Sequence, residues 1–78
     1  MPTVLILEGY RFYFFSEEGA EPAHVHLKKG DAKGKIWLKP SVKVDYMYGF
    51  TVSERRRINE IVMQNNSMFI EKWNEYFG

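Results

Sequence analysis

Residues 23–39 read AHVHLKKGDAKGKIWLK, and this stretch decides the fold of the chain. Apolar and polar side chains alternate on both sides of a turn that contains Gly30. Side chains two apart on a strand share one face of a sheet, and a glycine supplies the positive φ of a tight turn. The stretch therefore predicts a β-hairpin with strands at 23–28 and 33–39, its turn falling at Lys29-Gly30 or at Gly30-Asp31.

The position of the turn decides which side chains neighbour the two histidines of this hairpin. The earlier turn puts His26 beside Lys33 and His24 beside Lys35. The later turn, one residue further on, puts them beside Lys35 and Trp37 respectively. In both registers the histidines share a face with lysine, so a mixed imidazole and ammonium surface is expected.

The rest of the first half is also rich in short β-type runs. Strands are predicted at residues 3–7, 10–15 and 42–45. Glu8-Gly9 is a turn signal. Because the first run is apolar on both faces, we expect it to be little exposed, and we expect the histidine face to be covered in part by a loop or a second subunit. The acidic segment 16–22 reads as a loop.

From Thr51 onward the pattern is helical. Thr51 and Glu54 have the spacing of a capping box, in which the side chain of each residue accepts a hydrogen bond from the backbone N–H of the other. Asn65-Asn66 interrupts the apolar stripe that follows. We predict one α+β domain over residues 1–78, with an antiparallel sheet of four to five strands (about 3–45) followed by one kinked or two C-terminal helices (about 52–77).

Composition excludes several classes of protein. The chain has no cysteine, and therefore no disulfide, thiolate zinc site or cysteine nucleophile. A net charge of +1 gives no support to strong non-specific binding of nucleic acid or anionic membrane. The start of the chain lacks the pattern of a signal peptide, and no apolar run is long enough to span a membrane. We expect a cytoplasmic protein without a membrane partner.

Aromatic residues make up 17% of this short chain. We predict that seven side chains are largely buried: Phe12, Phe14, Val25, Ile36, Ile61, Phe69 and Trp73. A core of this size cannot easily enclose all the aromatic surface, and large exposed apolar patches usually mark interfaces. A homodimer, or a complex with a small partner, is therefore expected.

The histidine face is the candidate functional site. With Arg11, Tyr13, Lys35 and Trp37 it would combine the groups that bind phosphates and stack bases. We predict a catalytic set of His24, His26, Arg11 and Lys35, in which the histidines transfer protons or contact an anion and the cations stabilise phosphate charge. The predicted nucleic-acid or anion-binding set is Arg11, Tyr13, Lys35 and Trp37.

Two other interpretations of the histidines stay open. They can be ordinary polar residues on a solvated face, or metal ligands, since same-face neighbours on a strand lie about 7 Å apart. No third ligand is evident from the pattern, and Glu21, Asp31 or Asp45 would have to supply it. We predict no cofactor and no metal; if a metal binds, His24 and His26 hold it.

Several short motifs occur in order along the chain. They are Met1-Pro2-Thr3, Gly9-Tyr10-Arg11-Phe12, Glu21-Pro22-Ala23-His24-Val25-His26, Lys35-Ile36-Trp37-Leu38, Tyr48-Gly49-Phe50 and Trp73-Asn74-Glu75-Tyr76-Phe77-Gly78. Together they resemble the small prokaryotic family catalogued as domain of unknown function 4160, and Pro-x-His-x-His is the most specific element. Ala23 departs from the second proline of many relatives. The basic run 55–57 departs from the family pattern as well. It argues against a partner-binding surface on the helix that is common to the family.

The resemblance implies an α+β domain of similar length. It places the motif positions at Arg11, His24, His26, Lys35 and Trp37. Genes of the family often lie beside those of another small family, which suggests a toxin–antitoxin-like pair. We therefore expect a component of such a module that acts on RNA or a translation-linked target, although the sequence does not decide whether it is an enzyme. A non-catalytic module that binds a partner protein is the alternative, and a metal-dependent activity is the third.

Overall fold

The computed structural model describes residues 2–78, which form an antiparallel sheet followed by two helices. The strands are β1 (Thr3–Leu7), β2 (Tyr10–Tyr13), β3 (His24–Lys29), β4 (Ala32–Trp37) and β5 (Lys43–Tyr48), and the helices are α1 (Val52–Gln64) and α2 (Asn66–Phe77). The strands lie in the order β1-β2-β3-β4-β5, each antiparallel to its neighbour. The predicted α+β fold is confirmed.

The β3–β4 hairpin adopts the later of the two predicted registers. Gly30 has a φ of 60°, and β3 ends one residue before it. His24 therefore pairs with Trp37, and His26 pairs with Lys35. The turn between β1 and β2 lies at Glu8-Gly9 as predicted, with φ values of 54° and 84°. Positive φ at both central residues matches the right-handed twist of the strands that this turn joins.

The two faces of the sheet have different roles. One face packs against the helices: the ring centroids of Phe12 and Phe69 lie 5.4 Å apart across this contact. All seven predicted core side chains are buried. We call the opposite side of the sheet the outer face. It carries three rows of paired residues, which are Arg11-Lys28-Lys33-Tyr48, Tyr13-His26-Lys35-Tyr46 and His24-Trp37-Lys43.

The C-terminal segment forms two helices because Asn65 ends the first. The capping box at the start of α1 is present, with Glu54 N–H donating to Thr51 Oγ1 and Thr51 N–H donating to the Glu54 carboxylate. The Asn65 side chain donates to the Ile61 carbonyl at 2.8 Å. The same carbonyl also accepts the backbone N–H of Asn65, so the side chain adds a second hydrogen bond to it while the backbone of Asn65 leaves helical geometry at φ −112°, ψ 12°.

Arg57 links α1 to the first hairpin. Its guanidinium donates from Nε to both carboxylate oxygens of Glu8, each at 3.0 Å, and from Nη1 to Glu60 at 3.2 Å. The hydrogen bonds to Glu8 and Glu60 raise the pKa of Arg57 above its ordinary value. One arginine of the run 55–57 is thus explained by its acidic partners, whereas Arg55 and Arg56 are exposed.

Several predicted boundaries and one predicted burial were wrong. The second strand ends at Tyr13 instead of residue 15, and the fifth continues to Tyr48 instead of ending at 45. The first strand is more exposed than predicted, since Ile6 is 68% exposed. The reason is that Ile6 pairs with Arg11 and therefore lies on the outer face, which the helices do not cover.

Substituting a buried and an exposed isoleucine in the same way tests the assigned core. Ile61→Val removes one methylene from a fully buried side chain and should lower the free energy of unfolding by about 0.5–1.5 kcal/mol. Ile6→Val makes the same chemical change on the exposed edge strand and should change it by less than about 0.5 kcal/mol. Urea denaturation measures both, and equal effects of the two substitutions would contradict the assigned core.

Candidate functional site

Residues 14–23, which join β2 to β3, form a loop that lies over one end of the outer face. We call it the covering loop. It brings Glu18 onto His24 and His26, and Phe15 onto His26, where the ring centroids lie 4.5 Å apart. At Gly19 the loop approaches α2 so closely that a Cβ atom would lie 2.6 Å from the ring of Phe77. The absence of a side chain at Gly19 therefore allows the loop to close.

Both histidines are buried beneath this loop. Alternation along β3 places them on the outer face, yet His24 is 1% exposed and His26 is 4% exposed. The His24 ring contacts two indoles, with centroids 5.1 Å from Trp37 and 5.0 Å from Trp73. The solvated interpretation of the histidines is therefore wrong, because loop and helix side chains cover the face at this end.

One carboxylate oxygen serves both imidazoles. Oε1 of Glu18 lies 2.8 Å from Nε2 of His24 and 2.7 Å from Nε2 of His26. Nδ1 of His24 lies 2.9 Å from the carbonyl oxygen of Pro22. Because a carbonyl oxygen can only accept a hydrogen bond, Nδ1 of His24 is the donor in that contact. The covering loop thus supplies the partners of Nε2 of both rings and of Nδ1 of His24.

Burial and hydrogen bonding set the charges in this cluster. Burial raises the pKa of Glu18, but the close contacts with the imidazoles of His24 and His26 outweigh it and hold the pKa below its ordinary value. Burial lowers the pKa of His26, although the neighbouring Glu18 carboxylate acts in the opposite direction. Near neutral pH the cluster therefore presents an ionised Glu18 beside a neutral His26.

Lys35 lies at the same end of the outer face, where its ammonium is paired with acidic side chains. Its ammonium lies 3.0 Å from Glu21 and 3.8 Å from Asp45, and 4.3 Å from the ring centroid of Trp37. Burial lowers the pKa of Lys35, but the hydrogen bond to Glu21 and the nearby acidic groups outweigh it, and the pKa is raised. The lysine is a firmly charged group with two acidic partners.

The other predicted site residues lie around this cluster. The ring of Tyr13 is stacked on that of His26 at 5.6 Å, and the guanidinium of Arg11 lies 5.4 Å from the centroid of the same tyrosine ring. Arg11 also donates to the Thr3 hydroxyl at 2.8 Å. Trp37 contacts both His24 and Lys35. The structure thus brings together all six predicted residues of the histidine face, which are Arg11, Tyr13, His24, His26, Lys35 and Trp37.

Glu18 was missed by the sequence analysis. The third ligand was sought at Glu21, Asp31 or Asp45, but Glu21 and Asp45 pair with Lys35. The carboxylate that reaches both histidines comes from the acidic loop instead. A loop has no periodicity that would predict which of Glu17, Glu18 and Glu21 turns inward, so only its acidic composition was available as a signal.

The part of the outer face beyond the covering loop was also underestimated. Lys28, Lys33, Tyr46 and Tyr48 continue the rows of Arg11 and Tyr13 there. Tyr48 is 59% exposed, and its ring is stacked on that of Tyr46 with centroids 5.2 Å apart. We call these residues, together with Arg11, the open half of the outer face. Alternation along strand 4 had already placed Lys33 on this face, and the same pattern along strand 3 could have predicted Lys28.

The donor set at the covered end could hold a metal ion. Ligand atoms of Glu18, His24 and His26 all lie within 4.8 Å of one another. Two imidazole nitrogens and a carboxylate oxygen are a ligand set found in zinc sites with an open fourth position. Both histidines, which the sequence named as ligands if any metal binds, belong to this group.

Fold and site together define a class of small α+β domain in which a loop closes a carboxylate over two buried histidines. Residues 9–74 match the family described as Domain of unknown function (DUF4160). The match covers most of the 78 residues, so the chain belongs to this family and the resemblance found in the sequence is confirmed. No curated protein and no solved structure matches the chain. Neither described helix has the length and apolar character needed to cross a membrane.

Removing the carboxylate of Glu18 should destabilise the metal-free protein. In Glu18→Ala the two buried imidazoles lose their shared partner, and a buried polar group without a partner costs about 1–3 kcal/mol. Glu17→Ala removes a neighbouring exposed carboxylate and should be nearly neutral. Chemical denaturation in the presence of a chelator compares the two variants with the parent, and an unchanged unfolding midpoint in Glu18→Ala would contradict the role given to this contact.

Proposed function

We propose that this chain is a cytoplasmic component of a two-gene, toxin–antitoxin-like module, and that it acts on RNA held on the outer face of its sheet. The observation that carries this proposal is the open half of that face, where basic and aromatic side chains stand side by side on neighbouring strands. A positively charged surface with exposed aromatic rings is the common solution for binding single-stranded nucleic acid.

The cations of the open half are available for phosphate. Arg11, Lys28 and Lys33 occupy one row across three strands, and none of them forms an ion pair with an acidic group of residues 2–78. Lys35 differs, because Glu21 and Asp45 neutralise it. Attraction for a phosphate backbone is therefore concentrated on this row, although the whole chain carries a net charge of only +1.

Two features supply surfaces for bases. The stacked pair Tyr46 and Tyr48 offers an exposed aromatic platform. A cleft of about 650 Å³ lies at the other end of the face, beside Trp37, with Lys39 and Lys43 in its lining. Stacking of a base on an aromatic side chain contributes about 1–3 kcal/mol and tolerates any base, since every base has a π face.

The predicted catalytic roles fit this proposal in part. Arg11 lies on the open half and can contact phosphate there. His24 and His26 lie beneath the covering loop, so an acid–base role on RNA requires that the loop open and expose them. The proposal therefore assigns RNA holding to the open half, and proton transfer to the histidines only in a loop-open state.

The alternative, a non-catalytic module that binds a partner protein, is favoured by one observation at the edge of the sheet. Ile6, 68% exposed, lies on β1, whose free edge can accept a further strand. A second copy of the chain or a small partner encoded nearby would bind there by adding a strand. This interface lies on a different strand from the lysines of the open half, so the two functions make separable predictions.

Removing two lysines of the open half should weaken RNA binding and reduce its salt dependence. Each phosphate contact with a single strand contributes about 0.7 to the slope of log affinity against log salt. The double substitution Lys28→Ala with Lys33→Ala should therefore lower that slope by about 1.4. Fluorescence anisotropy with a single-stranded RNA oligonucleotide over a range of salt concentrations measures the change.

The matched control for this measurement is Arg55→Ala with Arg56→Ala. It removes the same charge from two exposed positions on α1. The control should keep the parent slope because these arginines do not lie on the sheet. Equal losses in the two double variants would show that binding follows net charge alone and would contradict the assigned face.

Expression in cells tests whether the chain acts on RNA in a toxic way. Induced without its neighbouring gene, the parent should arrest growth and reduce RNA integrity, whereas the Lys28→Ala, Lys33→Ala variant should do so far less at equal protein level. Growth curves and electrophoresis of total RNA give the readout. Normal growth and intact RNA with the parent protein would contradict a toxic action on RNA.

A further inference from the structure

The contact between Glu18 and His24 is incomplete without a positive centre between them. His24 uses the hydrogen on Nδ1 to donate to the Pro22 carbonyl, so a neutral ring has only a lone pair left on Nε2. That lone pair faces an oxygen of Glu18 at 2.8 Å. Two lone pairs repel at this distance, so an additional proton or a metal ion must lie between these atoms.

The same arrangement has the outer-shell hydrogen bond of a metal ligand. Histidines that bind metals usually donate their second ring N–H to a carbonyl or carboxylate, which fixes the tautomer and the direction of the ring. The Pro22 carbonyl does this for His24 at 2.9 Å, and the indoles of Trp37 and Trp73 restrict the ring further. The Nε2 lone pair is therefore held in a fixed direction.

The three ligand atoms are close to a metal-binding geometry. Bonds of about 2.0–2.1 Å in a tetrahedral zinc site put ligand atoms about 3.3 Å apart. Oε1 of Glu18 lies 2.8 Å and 2.7 Å from the two Nε2 atoms, so each contact would lengthen by about half an ångström. The same geometry requires the two Nε2 atoms, which lie within 4.8 Å of each other, to be about 3.3 Å apart, so the imidazole rings as well as the Glu18 side chain would adjust when the ion binds.

We propose that Glu18, His24 and His26 bind one divalent transition-metal ion of the Zn²⁺ class, through one carboxylate oxygen and the two Nε2 atoms, with a fourth position left for water or an anionic oxygen. It is the only group of three or more potential ligand side chains that converges within residues 2–78. The ion would fasten the covering loop to β3. This proposal does not rest on RNA binding by the open half.

Zinc titration of the chelator-treated full chain tests the proposal. A ligand that binds only the native state adds stability by mass action. At free Zn²⁺ about 100-fold above the dissociation constant, the melting temperature should rise by about 10 °C or more. Elemental analysis after dialysis should find one zinc ion per chain. Co²⁺ should give the visible absorption of a low-symmetry site with nitrogen and oxygen ligands.

Two variants and one control identify the ligands. Glu18→Gln and His26→Gln should each lose most of the thermal shift and the bound zinc, whereas Glu17→Gln, which changes an exposed neighbour, should keep both. If a variant fails to fold, zinc content and the Co²⁺ spectrum of the parent still decide the matter. Absence of stoichiometric metal in the parent would overturn the proposal and leave a proton in the contact. An equal thermal shift in Glu18→Gln would overturn it as well.

Discussion

Two buried imidazoles and the single carboxylate that meets them constrain the rest of this structure. A polar group taken out of water must find a partner inside the protein, and burial without one is costly. His24 and His26 find theirs in Glu18, which lies in the covering loop and not in the sheet. The loop therefore has to close over β3. Its closure requires Gly19 at the contact with Phe77, brings Phe15 onto His26, and fixes how much of the outer face is left open.

Closure of the loop also separates acidic from basic side chains on the outer face. The acidic groups Glu18 and Glu21 come to lie at the covered end, where Glu21 and Asp45 neutralise Lys35. The row of Arg11, Lys28 and Lys33 is left on the open half, outside that acidic cluster. A chain with nearly equal numbers of acidic and basic residues can thus present a local basic surface. Net charge bounds long-range attraction, but it does not describe a patch of this size.

The parts of the fold that depend on neighbouring residues were predictable, and those that depend on distant ones were not. Alternation around Gly30 and the capping box at Thr51 are local patterns, and both predicted their elements. The sequence allowed two registers of the β3–β4 hairpin, one residue apart, because the residues of the turn alone do not decide between them. The exposure of Ile6 depends on its pairing with Arg11, which places it on the outer face, away from the helices. Glu18 reaches the histidines across a loop without periodicity, so the third member of the site could not be read from spacing.

Tyr13 is the side chain through which the two halves of the outer face are physically joined. Its ring is stacked on His26 at 5.6 Å on one side, while Arg11 and Lys28 lie 5.4 Å and 5.9 Å from the same ring centroid. The buried cluster and the cationic row are thus in contact through one aromatic ring.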